Sequence, residues 1–186
     1  MPVVSGQATI DTLSEYPNYF RTTYSNLDAA TILSQYLRVD LGQDRASIVG
    51  GNSDFETSLA NDFASVFAQK GTVAHTWTIG DDREASVASI VEAMHKTDDM
   101  GALFMAVPGD NGYELLLQLR DAGLDPIVVA PEPTGTAAFA KRFAYQANER
   151  KTPGFYTHKL YAVSPLLFDS VGGATLAFSS KYKDAY

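Results

Sequence analysis

The stretch GALFMAVPGDNGYELLLQLRDAGLDPIVVAPEP, Gly101 to Pro133, constrains the fold of this chain more than any other. Ala102–Val107 is a short apolar run closed by Pro108-Gly109, the pattern of a strand buried on both faces. Asp110 or Asn111 is placed to cap a helix through Leu124, with Leu115, Leu116 and Leu119 on its apolar face and Gly123 at its end. Pro126 then opens a second apolar strand, Ile127–Ala130. Strand, helix and strand joined this tightly predict a βαβ unit, a right-handed crossover between parallel strands. Its polar residues, Pro108–Asn111 and Pro131–Thr134, follow the strand ends, and the carboxyl edge of an open α/β sheet is where ligands bind.

The same alternation extends upstream. Asn26–Leu41 has helical period, with Leu27, Ala30, Leu33, Tyr36 and Leu37 on one face, Asn26 as a candidate cap and Gly42 as the stop. Ala46–Val49 reads as a strand, and Phe55–Lys70 as a helix capped by Ser53 or Asp54. Thr72–Ile79 alternates and is rich in β-formers, and Asp81 or Asp82 caps a helix to about Lys96. Residues 26–133 therefore predict an α/β fold, a three-layer parallel sheet with helices on both faces. Beyond residue 133 the pattern reads as helical. One helix spans Ala137–Arg150, Pro153-Gly154 interrupts it, and a second runs from Tyr156 to about Phe178 through Leu160, Val163, Leu167 and Val171. Pro165 and Gly172-Gly173 would kink or fray that last helix.

Composition narrows the function classes. A net charge of −8 over 186 residues argues against nucleic acid, whose binding needs clustered Lys and Arg. The absence of Cys removes disulfides and thiolate metal sites. His75, His95 and His158 are scattered without metal-ligand spacing, and Gly50-Gly51-Asn52-Ser53 matches neither the dinucleotide nor the Walker pattern and reads as a tight turn. Asp81-Asp82 and Asp98-Asp99 read as cap and loop charges, and Trp77 as core. Ser180-Lys181-Tyr182-Lys183 has the S-x-x-K letters without partner motifs. No cofactor, metal or catalytic constellation is implied. No apolar stretch reaches the roughly 20 residues that span a bilayer. Met1–Gly6 has neither the basic region nor the apolar core of a signal peptide, so the expectation is a cytoplasmic protein or one whose natural beginning is absent.

Several segments taken in order resemble a known family. MPVVSGQATIDTLSEYPNYFRTTYSN is similar to the "VPVISPSAT…L…YPYFFRT.PSN" segment of type I periplasmic binding proteins, the solute receptors of branched-chain amino acid and amide ABC transporters. RASIVGGNSDFETSLANDFASVFAQKGTVAHTWTIGDD resembles that family's strand, its "D..YG" helix and its "G..V" strand. GALFMAVPGDNGYELLLQLRDAGLDPIVVAPEP and TAAFAKRFAYQANERKTPGFYTHKLYAVSPLLFDSV resemble the units that follow. The resemblance implies a flavodoxin-like lobe of a two-lobed protein about twice this length. It divides the chain into a stub of the other lobe and crossover (1–24), an α/β lobe (25–133) and C-terminal helices (134–186) packing on that lobe or on another copy. Those helices would normally cover a sheet absent from this chain, so Tyr156, Leu160, Tyr161 and Phe168 predict an interface and a homo-oligomer.

Functionally the resemblance implies a periplasmic or extracellular solute-binding protein, not an enzyme, serving an ABC permease and binding a small amino acid or related amide or carboxylate. In the family the loop matching Ser5–Thr9 holds the ligand carboxylate, which points to Ser5, Ala8 and Thr9. Phe55 stands where the family has Tyr, and Pro108 and Gly109 stand where an aromatic is usual. Glu132 matches the acidic residue that holds the ligand ammonium. Three other classes stay open at this level: a lobe that folds without tight ligand binding, the ligand-sensing domain of a receptor, and a small flavodoxin-like enzyme, which no nucleophile or phosphate loop supports.

Overall fold

The computed structural model describes residues 1–164 and 173–185. The predicted alternation forms as read. Strands β3 (Arg45–Gly50), β4 (Thr72–Thr78), β5 (Ala102–Met105) and β6 (Val128–Ala130) alternate with helices α2 (Asp54–Phe67), α3 (Arg83–His95) and α4 (Gly109–Asp121), and α1 (Asn26–Gln35) precedes them. Every pairing is parallel, and with a fifth strand, β7 (Leu160–Ala162), the sheet has the order β4-β3-β5-β6-β7. That is the flavodoxin-like doubly wound order, whose switch point lies between β3 and β5.

The fifth strand, β7 (Leu160–Ala162), corrects the helical reading of residues 156 onward. Its residues pair in register with β6, Val128 with Leu160 and Ala130 with Ala162. Tyr156, Leu160 and Val163 are spaced four and three apart, which a helix and a short buried strand share, so periodicity alone does not separate them. Tertiary pairing with β6 decides the outcome. The expectation that this region lacks its own sheet is thereby overturned: Leu160 and Tyr161 are half-buried strand residues on opposite faces of the sheet, and Tyr156 is fully buried in the lobe itself. The predicted helix Ala137–Arg150 is two short ones, α5 (Ala137–Lys141) and α6 (Ala147–Lys151). Leu167, Phe168, Val171, Pro165 and Gly172 lie outside the described residues; α7 (Gly173–Ala185) follows, with Leu176 and Tyr182 exposed.

Caps refine the boundaries. Ser25, rather than Asn26, caps α1 through a reciprocal box with Asp28, because its extended backbone aims the hydroxyl at the Asp28 amide. Asn26 is instead buried and donates to the Ser58 hydroxyl. Ser53 caps α2 with Glu56 in the same way, and Asp82 caps α3. Pro108 precedes α4 without a side-chain cap, so neither Asp110 nor Asn111 plays that part. Gly109 makes the turn at φ +64°, a left-handed conformation that favours glycine.

The core lies on both faces of the sheet. Phe63 and Phe67 of α2 pack with Leu33 and Leu37 against Ile48, Phe104 and Val129. Phe63 stacks on Phe104 with ring centroids 3.9 Å apart. On the other face Ile90, Met94, Leu115, Leu116 and Leu119 meet Leu103, Met105 and Val128, joined by Phe139, Phe143 and Tyr156. Trp77 is only half-buried, because β4 is an edge strand, and it stacks on His75. Residues 1–24 add a separate two-stranded parallel sheet, β1 (Val3–Ser5) with β2 (Tyr19–Arg21). Arg21 braces this segment internally by donating to the carbonyls of Thr9 and Ile10, and the Asn26 backbone amide ties it to the lobe by donating to the Thr9 carbonyl at 2.7 Å.

Candidate functional site

At the carboxyl edge of the sheet, the N-terminal segment crosses over the ends of β6 and α2. The crossing encloses a cavity of about 80 Å³ lined by Gln7, Thr9, Tyr24, Asn26, Ala29, Phe55, Leu59, Pro131, Glu132 and Pro133. The local reasons are visible in sequence. Pro131 and Pro133 stiffen the segment around Glu132, which opens a 3₁₀ turn after β6 (Glu132–Gly135). Phe55 is the second residue of α2, fixed by the Ser53 cap. Thr9 is held through its carbonyl by Asn26 and Arg21.

Three of the residues singled out from the sequence, Thr9, Phe55 and Glu132, therefore share one cavity. Ser5 ends β1 and Ala8 lies in the loop that follows, where the Ser5 hydroxyl accepts from the Ala8 amide at 3.0 Å and from the Gln7 amide at 3.4 Å. The Ala8 N–H is thus already satisfied inside its own loop. Pro108 and Gly109 stand at the neighbouring strand end and do not line this cavity.

The sequence reading missed Tyr24, which comes from the connection between β2 and α1 and reaches the same cavity. Burial, and then the Glu132 carboxylate facing it, push the Tyr24 phenol up to about 12, so it stays protonated at neutral pH. Among the described residues, neither the Thr9 hydroxyl, the Tyr24 hydroxyl nor the Glu132 carboxylate has a hydrogen-bond or ion-pair partner. A cavity with one uncompensated carboxylate, two hydroxyls and walls of Phe55, Leu59 and proline suits a small cation carried on an apolar body.

Beside the switch point lies a second, open depression of about 550 Å³, lined by Asn52, Ser53, Glu56, Asp82, Arg83 and Asn111 among others. Glu56 is 8% exposed, accepts from the Ser53 hydroxyl and amide, and accepts from Asn111 Nδ2 at 3.3 Å. A Cβ on Gly51 would lie 2.3 Å from Glu56 Oε2, so a side chain there would have to displace the inward carboxylate. No group of His, Asp and Glu among the described residues is arranged to hold a metal ion.

A doubly wound lobe with its open cavity at the carboxyl edge defines a ligand-binding α/β domain. The periplasmic binding protein family model matches residues 1–186, and the chain belongs to that family. Solved structures share the fold. A leucine-binding protein from Thermotoga maritima superposes with a TM-score of 0.73 at 14% identity, covering 100% of this chain and 50% of that one. A candidate branched-chain amino acid ABC transporter protein from Rhodospirillum rubrum gives 0.77 at 16% identity, covering 100% and 51%. An ABC transporter substrate-binding protein from Desulfitobacterium hafniense gives 0.61 at 20% identity, covering 75% and 42%. The chain therefore spans about half the length of these structures or less. No curated protein matches it.

Proposed function

We propose that this chain is a solute-binding module of an ABC importer, acting outside the cytoplasm, and that its ligand is a small amino acid or close relative. The observation that carries this reading is the unpaired Glu132 carboxylate in the cavity with Thr9 and Phe55. A carboxylate with no protein cation beside it is set to pair with a ligand ammonium, and Phe55 and Leu59 offer apolar contact. The Ser5–Thr9 segment stands beside it to meet the ligand carboxylate through the Thr9 hydroxyl. Pro108 and Gly109 take the outer part of the ligand at the adjacent strand end. The module performs no covalent chemistry, and an importer permease is its partner.

A thermal-shift screen tests this. L-leucine, 4-methylpentanoate and isoamylamine share an apolar body and differ in their charged groups. Saturating ligand at one hundred times its dissociation constant adds about 2.7 kcal/mol of stability. The reading expects a shift with leucine and a smaller one with isoamylamine. Equal shifts with leucine and 4-methylpentanoate would remove Glu132 from its role.

A further inference from the structure

We propose that the chain carries a second small-molecule site, at the amino edge of the sheet, for an aromatic monocarboxylate. A cavity of about 720 Å³ opens there, at the far end of the strands from Thr9, Phe55 and Glu132. Its walls come from the two segments that lead into neighbouring strands, 123–125 before β6 and 152–158 before β7. The volume falls in the range of pockets that hold small organic ligands, about 300–1,000 Å³. The site stands apart from the solute-binding reading above and does not depend on it.

Both walls are held in place by the fold. Glu149 accepts from the Gly154 amide at 2.6 Å and from the Tyr156 amide at 3.2 Å, which fixes the turn at Pro153-Gly154. Arg120, with its side chain 3% exposed, donates to the carbonyls of Leu124 and His158 and so joins one wall to the other. Phe155 stands edge-on to the buried Tyr156, ring centroids 5.0 Å apart, and lines the cavity with Leu124 and Pro153. A fixed aromatic wall of this kind favours a ligand with a ring of its own.

The polar end of the cavity carries an excess of positive charge. Asp125 is the one carboxylate among the described lining residues, and it pairs with both Arg120, at 3.0 Å, and Lys159. Two cations against one anion leave a positive charge, and the side chain of His158 lines the same end. Arg120 Nε is buried without a partner among the described residues, so the guanidinium keeps donor capacity in reserve. The neighbouring carboxylates Asp121 and Glu149 do not line the cavity and are engaged by Tyr156, Asn148 and the loop amides. A single ligand carboxylate balances this charge, and an ammonium in its place is repelled.

The experiment is a calorimetric titration of the wild type, Lys159→Gln, Phe155→Ala and Glu132→Gln with 2-naphthoate and with its uncharged analogue 2-naphthamide. The wild type is expected to bind the acid at least about fivefold more tightly than the amide. Lys159→Gln is expected to lose most of that preference, because it leaves Asp125 and Arg120 to cancel. Phe155→Ala is expected to weaken both ligands about tenfold. Glu132→Gln is expected to bind the acid as the wild type does, which separates this site from the cavity at the carboxyl edge. A circular-dichroism melt of each variant checks folding, and if Phe155→Ala melts early, Lys159→Gln carries the test. No binding of 2-naphthoate at millimolar concentration, equal wild-type affinity for acid and amide, or an unchanged preference in Lys159→Gln overturns the proposal. Loss of 2-naphthoate binding in Glu132→Gln overturns it as well, because the ligand then sits at the other edge. The solute-binding reading stands or falls separately, on amino-acid binding.

Discussion

Arg120 of α4 donates a 2.6 Å hydrogen bond to the carbonyl of His158, two residues before β7. The same guanidinium donates to the carbonyls of Leu124 and Pro126 and pairs with Asp125. Its side chain is 3% exposed, so one buried cation ties the end of α4, the approach to β6 and the approach to the edge strand β7. Lys159, at φ 53°, makes the turn between them.

Replacing Arg120 with Met is expected to cost about 2–4 kcal/mol, because three carbonyls lose their donor at once. For a chain of this size that is a fall in Tm of roughly 4–16 °C. Arg45→Met, at an exposed pair with Asp99, is expected to cost at most about 1 kcal/mol. Equal melting points for the two variants would contradict the clamp.

Gly51 and Glu56 are expected to be coupled. Gly51→Ala pushes its Cβ into Glu56 Oε2 and should cost about 1–2 kcal/mol by displacing a carboxylate held by Ser53 and Asn111. In a Glu56→Ala background the same change should cost much less. A double-mutant cycle by urea denaturation measures the difference, and strict additivity would show that the contact is not what disfavours a side chain at Gly51.

Tyr156 is 1% exposed, stacks on Phe143 and donates from its hydroxyl to Asp121 at 2.8 Å. Tyr156→Phe is expected to lose about 1 kcal/mol. Burial, then the hydrogen bond to Asp121 and its charge, push this phenol up to about 12. A raised folded-state value means stability that is complete below the unfolded value near 10 and lost as pH rises toward about 12. Wild-type stability should therefore fall more steeply than that of Tyr156→Phe across this alkaline window, measured by denaturation at stepped pH.

The small sheet of β1 and β2 leaves Val4 69% and Phe20 54% exposed. Parallel strands are ordinarily covered on both faces, so this surface is the expected site of self-association. Val4→Asp with Phe20→Asp should move the chain to a smaller species by sizing chromatography with light scattering. A wild type that runs as a monomer at high concentration would contradict the expectation.

Much of this lobe was legible in the sequence, because strands β3, β5 and β6 are apolar runs closed by Gly or Pro, and α2 and α3 carry recognisable caps. The edge strand β7 was not legible. Its spacing satisfies a helix as well as a strand, and only Val128–Ala130 alongside it settles the matter. Of the residues the resemblance implies, Glu132, Phe55 and Thr9 line one cavity. Tyr24 was missed because a tyrosine between Thr23 and Ser25 reads as ordinary loop. Its position depends on how the N-terminal segment crosses β6, which no local pattern encodes. The bond from the Ala8 amide to Ser5, which closes the loop on itself, is likewise not encoded by a local pattern.

The central claim is that an amino acid binds through Glu132. Isothermal titration of the wild type and Glu132→Gln with the most stabilising amino acid tests it directly. Wild-type binding should be measurable, with a loss of at least about thirtyfold in the variant, the equivalent of about 2 kcal/mol for a charge-assisted hydrogen bond. Undiminished affinity in Glu132→Gln would contradict it.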